Sequence, residues 1–306
     1  MSQDSLPKQV KIVEVGPRDG LQNEKSFVAN EVKIELINRL TTAGFANIEA
    51  AAFVSPKWVP QMAGSHEVMA GIDRRPGTIY SVLVPNMQGY DRSREAGVDE
   101  VVVFSAASEA FAQKNINCSI DESIARFEPI AKAAKADGIR LRGSISCALG
   151  CPYQGEVTPS EVVSVAQKMR DLGCDEIDIA DTIGVATPGR VKAVFEALQV
   201  VLPVERFAGH FHDTYGQSLA NIYAALQMGV SIFHSSIAGL GGCPYAKGAT
   251  GNVATEDVIY LLRGLGIETG VNFEEVARIG AFITHAIDRP NHSRAGKAFL
   301  ASEGKA

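Results

Sequence analysis

The sequence predicts an α/β fold, a (β/α)8 TIM barrel with an additional C-terminal helix. It reads as a single catalytic domain over 1–306, with the barrel at about 10–265 and the helical extension at about 270–300. Three observations carry this. Eight short runs rich in β-branched residues recur along the chain, with helical apolar spacing between them. The interval between runs averages roughly 30 residues, the length of one βα unit. The turn after the first run, "GPRDGLQNEK", lacks the G-x-G-x-x-G pattern expected of a doubly wound dinucleotide-binding sheet, and "GLGGCPYAKG" misses that spacing too.

The elements follow in order. "VKIVEV" (10–15) is the first strand. In "NEVKIELINRLTTAG", Val32, Leu36 and Leu40 lie four apart on one helix face, and Gly44 stops the helix. "ANIEAAAF" (46–53), "TIYSVLV" (78–84), "EVVVFSA" (100–106) and "RLRGSIS" (140–146) are the next four strands. The helix "TPSEVVSVAQKMRDLG" opens on Thr158 and Pro159, a capping residue with proline in the first turn. "EIDIA" (176–180), "RFAGHFH" (206–212) and "SIFHSSIA" (231–238) complete the eight. "GQSLANIYAALQMG" and "TEDVIYLLRGLG" are the helices of the last two units, and "NFEEVARIGAFITHAI" is expected to pack outside the barrel.

Composition narrows the function classes. The 306 residues are 46% hydrophobic and 21% charged, ordinary for a globular chain with a large core. A formal net charge of −6 without a basic block gives no reason to expect nucleic acid or an anionic membrane as partner. The opening "MSQDSLPKQV" lacks the apolar stretch of a signal peptide, and no apolar run approaches the ~20 residues of a membrane span. Five cysteines, an odd number, argue against a disulfide scaffold and for a reducing cytoplasm.

In a TIM barrel the chemistry sits at the C-terminal ends of the strands. Arg18, Asp19 and Gln22 follow the first strand, and Glu49 lies in the second. Asp181 and Thr182 end the sixth, and His210, His212 and Asp213 end the seventh. Cys243 and Asn252 follow the eighth. His210 and His212 share a strand face, because side-chain direction repeats every second residue. Each residue alone has a structural explanation. Asp19 suits a turn; Asp181 and Asn252 suit helix caps; Cys243 could pack as Cys118 and Cys174 are expected to. Glu49, inside an apolar strand, needs a buried partner, and Arg18 is the evident one. Under the barrel reading all these explanations would have to hold at one rim. Asp19, His210, His212 and Asn252 would offer two nitrogens and two oxygens, with no thiolate. Such a set suits octahedral Mg²⁺ or Mn²⁺ better than a closed zinc site.

The stretches "EVGPRDGLQNEK", "FVSPKWVPQMA", "KNINCSI", "CALGCPYQG", "DTIGVATPG", "HFHDTYGQSLAN" and "AGLGGCPYAKGATGNVATEDV" run in order along nearly the whole chain. By them the chain resembles the 3-hydroxy-3-methylglutaryl-CoA (HMG-CoA) lyase family of the DRE-TIM metallolyases. The resemblance implies metal-dependent cleavage of HMG-CoA to acetyl-CoA and acetoacetate. It implies Asp19, His210, His212 and Asn252 as cation ligands, and Arg18 facing the developing enolate oxygen. Glu49 and Asp181 would orient ligands and substrate, Gln22 and Thr182 would contact substrate, and Cys243 would lie on a loop over the site. The partner would be an acyl-CoA thioester, the assembly a homodimer, and the setting leucine degradation or ketone-body metabolism. Bond cleavage requires a base for a tertiary hydroxyl, for which Asp19 and His210 both qualify, and an acid for the enolate carbon, where Cys243 could help. A related superfamily lyase, aldolase or condensing synthase is the alternative reading. One position departs from the family pattern: His234 stands in "FHSSIAGLG" where aspartate is expected.

Overall fold

The computed structural model describes residues 6–24, 26–242 and 251–304. Eight parallel strands close into a barrel in sequence order. They are β1 (Lys11–Glu14), β2 (Asn47–Ala52), β3 (Ile79–Leu83), β4 (Glu100–Ala106), β5 (Arg140–Ser146), β6 (Glu176–Asp181), β7 (Phe207–Phe211) and β8 (Ile232–Ser235). β1 pairs with both β2 and β8, so the sheet has no free edge. Helices α1 (Asn30–Thr42), α2 (Ser65–Gly71), α3 (Met87–Glu95), α4 (Glu109–Ile116), α5 (Ile120–Asp137), α6 (Pro159–Leu172), α7 (Pro188–Leu198), α8 (Ser218–Gln227) and α9 (Thr255–Gly264) lie between and after the strands. Among the described residues no helix is long and apolar enough to cross a membrane.

Local sequence explains the helix ends. Thr158 caps α6 by accepting the Glu161 amide while the Glu161 carboxylate takes the Thr158 amide, and Pro159 occupies the first turn. α6 stops at Gly173, whose φ of 95° favours glycine.

The main apolar core lies between strands and helices. The barrel interior is different. A small apolar cluster of Val13, Val15, Ala208 and Ile232 is separate from that core. Glu49, Glu100, Arg142, Glu176, Asp178, His210 and His234 are buried strand residues with polar partners.

Two expectations need correction. The extension holds two helices, α10 (Phe273–Ala286) and α11 (Arg294–Ser302), rather than one. Asp288 at φ 51° and Pro290 break the path, and Ser293 restarts it by accepting the Gly296 amide. The strand read over 231–238 ends at Ser235. A short turn, Ile237–Gly239, follows, with Ala238 at φ 55°. The extension also reaches the barrel's rim, where Arg289 pairs with Glu24 and donates to the Gly241 carbonyl at 2.9 Å.

Candidate active site

The loop after β1 is wound into one tight π-helical turn, Gly16–Gly20. The amides of Arg18, Asp19 and Gly20 all point to the Val15 carbonyl, at 3.2, 2.8 and 3.1 Å. The turn presses against the end of β8. A Cβ on Gly20 would meet Ser236 Oγ at 2.7 Å, so the second glycine of "GPRDG" is required by close approach. Buried Glu14 pins the turn by accepting the amides of Gly16 and Ile237, each at 2.8 Å. Arg18 and Asp19 are thereby held at the mouth of the barrel.

Glu49 lies where the β2–β3 register shifts between Glu49 and Ala51, a bulge that re-aims the side chain. One carboxylate oxygen takes Arg18 Nε and the other takes Arg142 Nη2. Burial alone would raise the Glu49 pKa, but the two guanidiniums hold it down at about 2. Arg18 Nη1 also meets Asp19 Oδ1 at 2.9 Å, and Arg142 Nε meets Glu100 Oε1 at 3.2 Å. A line of alternating charge thus runs from the rim into the barrel.

β7 delivers His210, and His212 follows directly, with ring centroids 5.5 Å apart. The chain after β8 folds back on them. Asp213 donates its amide to the Gly251 carbonyl at 2.8 Å, and Val253 donates to the Phe211 carbonyl at 3.1 Å. Asn252 therefore stands opposite His212, and its Nδ2 donates to Asp19 Oδ2 at 2.8 Å. His210 Nε2 is 3.9 Å from the same Asp19 oxygen. Potential ligand atoms of Asp19, His210 and His212 all lie within 4.8 Å of one another.

Two buried atoms here, His212 Nδ1 and Asn252 Oδ1, make no hydrogen bond. Unpaired buried lone pairs are costly, and both belong to residues of the donor set. Burial would raise the Asp19 pKa, but Arg18 and the two imidazoles pull it well below the usual carboxylate range. Burial and the neighbouring His210 press His212 down to about 4. Near neutral pH the acid is therefore ionised and His212 is neutral, the forms that bind a cation. The residues present fit a divalent ion.

Other residues read from the sequence have definite surroundings. The Asp181 carboxylate accepts the Val185 and Ala186 amides at 3.0 Å each, and burial raises its pKa to about 6. Thr182 Oγ1 accepts the Cys147 amide at 2.7 Å. Gln22 is half-buried just past the β1 turn. The Asp213 carboxylate is engaged at the start of α8, where it accepts the Ser218 amide and hydroxyl. Cys243 lies outside the described residues. Sequence reasoning missed Arg142, Glu100 and Glu176. For Arg142 and Glu176 the signal was a charged residue at alternate strand positions, in "RLRG" and "EIDIAD"; Glu100 opens "EVVVFSA", which carries no such alternation.

A closed parallel barrel with an acid, two imidazoles and an amide converging on its rim defines a TIM-barrel enzyme of the metal-assisted class. The HMGL-like family model matches residues 9–283, and the chain belongs to that family. It is 57% identical over 297 residues to the 3-hydroxy-3-isohexenylglutaryl-CoA/hydroxymethylglutaryl-CoA lyase of Pseudomonas aeruginosa, covering 97% of this chain and 99% of the relative. The crystal structure of a hydroxymethylglutaryl-CoA lyase from that organism superposes with a TM-score of 0.96 at 57% identity, over 97% of this chain and 99% of the other. An Acinetobacter baumannii HMG-CoA lyase, solved in complex with coenzyme A and 3-methylmalate, matches with a TM-score of 0.91 at 34% identity, over 100% of this chain and 97% of that one.

Proposed function

We propose that this chain is a divalent-metal-dependent carbon–carbon lyase that cleaves HMG-CoA to acetyl-CoA and acetoacetate. The observation that carries the reading is the convergence of Asp19, His210 and His212 within 4.8 Å, with Arg18 beside Asp19. The lyase names of its close relatives support the substrate class, an acyl-CoA thioester.

Asp19, His210, His212 and Asn252 would hold the cation. When bound, Mg²⁺ or Mn²⁺ supplies Lewis acidity to the tertiary hydroxyl of the substrate. Asp19 takes the hydroxyl proton; His210, with one ring nitrogen given to the cation, has only Nδ1 left, and that faces His234 at 3.2 Å. Arg18, tethered by Glu49, offers its guanidinium to the enolate oxygen formed as the bond breaks, and does so without reorganising. Asp181 fixes the loop after β6, so that Thr182 can present its hydroxyl hydrogen to substrate. Gln22 lines the entrance. Cys243 assists protonation of the enolate carbon.

The test is direct. Metal-reconstituted protein is incubated with HMG-CoA, and acetoacetate and acetyl-CoA are assayed. Exhaustive chelation should abolish turnover, and Mg²⁺ or Mn²⁺ should restore it. Full activity after chelation would sink the metal assignment. A second reading, a lyase acting on a longer branched thioester, is favoured only by the double name of the Pseudomonas relative. Comparing kcat/KM over a thioester panel separates the two.

A further inference from the structure

An asparagine can ligate a cation only through its carbonyl oxygen, so the way its amide faces matters. Asn252 Nδ2 donates to Asp19 Oδ2 at 2.8 Å and to the Leu240 carbonyl at 3.3 Å. Both amide hydrogens are therefore used, and Oδ1 is left buried without a hydrogen bond. Turning the amide over would set Oδ1 against two acceptors. Of those two, only the Leu240 carbonyl is not itself a candidate ligand. The orientation of Asn252 thus depends on the backbone at 240 and 241.

That backbone does not fix itself. Gly241 sits at φ 123°, in the region open to glycine. It also touches the asparagine directly: a Cβ there would meet Asn252 Nδ2 at 2.7 Å. The ties that hold the segment come from elsewhere in the chain. Arg289, in the turn between α10 and α11, donates from Nη2 to the Gly241 carbonyl at 2.9 Å. Its Nη1 pairs with Glu24, and both side chains are largely buried. Glu24 is itself anchored, because Gln61 Nε2 donates to its backbone carbonyl at 3.2 Å. Three residues on, His292 donates its amide to the Ala238 carbonyl at 3.0 Å. The extension therefore grips the 238–241 segment at two carbonyls. Only Arg289 also joins that segment to the loop after β1.

We infer that Arg289 is a positioning residue for the donor cluster: by clamping the Gly241 carbonyl to Glu24 it fixes the peptide that orients Asn252, so that Oδ1 faces the cation. This rests on the reading of Asn252 as a cation ligand. Groups that orient ligands in this way are part of a metal site's affinity although they never touch the ion.

The experiment uses full-length chelated protein and Mn²⁺ alone, with the free ion followed by electron paramagnetic resonance. Arg289→Met should weaken Mn²⁺ binding about tenfold. Asn252→Ala should weaken it at least as much. In the Asn252→Ala background, Arg289→Met should change the affinity by less than about twofold, because the group it positions is gone. Ser293→Ala is the control for loosening the extension. Ser293 ties α11 to Asp257 at 2.7 Å, away from Gly241. Its loss should lower the melting temperature and leave Mn²⁺ affinity within about twofold. Additive losses in the double variant overturn the proposal, as does unchanged affinity in Arg289→Met while Asn252→Ala loses binding. An equal loss in Ser293→Ala overturns it too, since docking of the extension would then suffice. If Asn252→Ala binds Mn²⁺ as well as the parent, the ligand reading falls and the proposal with it. Should Arg289→Met fail to fold, Arg289→Lys, which keeps a charge for Glu24 and loses the fork, is carried through the same cycle.

Discussion

Replacing Arg142 with methionine should destabilise the protein far more than a surface change would. Arg142 is fully buried, with Nη2 on Glu49, Nε on Glu100 at 3.2 Å and Nη1 against His234. Methionine fills much of the volume and answers none of these groups. Glu49 would keep Arg18, and Glu100 would keep Arg140, a half-exposed partner at 3.3 Å. Breaking a buried pair by removing one member costs about 3–5 kcal/mol, because the remaining charge is left undercompensated. Scaling the melting entropy of about 2.1 cal/mol/K per residue to this chain turns that cost into a drop of roughly 5–8 °C in Tm. Arg142→Lys keeps the charge but cannot fork to both carboxylates, and should fall between the two. Adding Glu49→Gln to Arg142→Met removes one stranded charge, so the double variant should lose less than the sum of the singles. Thermal melts followed by circular dichroism, with reversibility checked, measure all four. A melt of Arg142→Met within about 1 °C of the parent, or strict additivity, would refute the charge-line argument.

Arg18→Gln should lower kcat by about a hundredfold or more with a smaller effect on KM, since the proposed charge appears only as the bond breaks; a change confined to KM removes the role. Burial raises the Glu14 carboxyl from 4.5 to about 7 despite hydrogen bonds from Thr255, Ile237 and Gly16. The folded state therefore retains a proton that the unfolded chain releases. The stabilising contribution is complete below pH 4.5 and is lost as pH rises through about 7. That interval is worth roughly 3 kcal/mol at about 1.4 kcal/mol per pH unit, and Glu14→Gln should flatten denaturation midpoints across it; parallel profiles would contradict the assignment. Cys118, Cys147, Cys151 and Cys174 are buried. Alkylation of native protein should therefore modify Cys243 first and inactivate in step, with substrate slowing both. Peptide mapping that tracks Cys151 instead would reject this.

The barrel was legible because its units repeat. Each strand is a β-branched run between helices whose ends carry their own signals, as at Thr158–Pro159 and Gly173. The rim was legible for a different reason. A TIM barrel confines chemistry to the strand C-termini, so Arg18, Asp19, His210 and His212 could be gathered without coordinates. The same restriction hid Arg142 and Glu176, which lie deeper along β5 and β6. A strand's sequence gives the alternation of its faces. It does not say that the inward face will be charged, because the partners of Arg142 come from β2 and β4. The second extension helix was missed because Asp288 and Pro290 look like an ending, and only Ser293 marks the restart.

Asp19 and Asn252 are hydrogen-bonded across 233 residues of sequence, and the first belongs to the opening βα unit while the second follows the last strand. The donor cluster therefore straddles the seam where β8 meets β1. During synthesis every other unit could be in place with the cluster still incomplete. The long loop must close before any contact between these residues is gained, and that closure carries an entropic cost. A cation bound by this set would act as a clasp on the ring, favouring the closed barrel through mass action. Catalytic competence and topological completion then arrive in the same folding event, so a ribosome-released fragment ending before residue 252 would have no partial activity to lose.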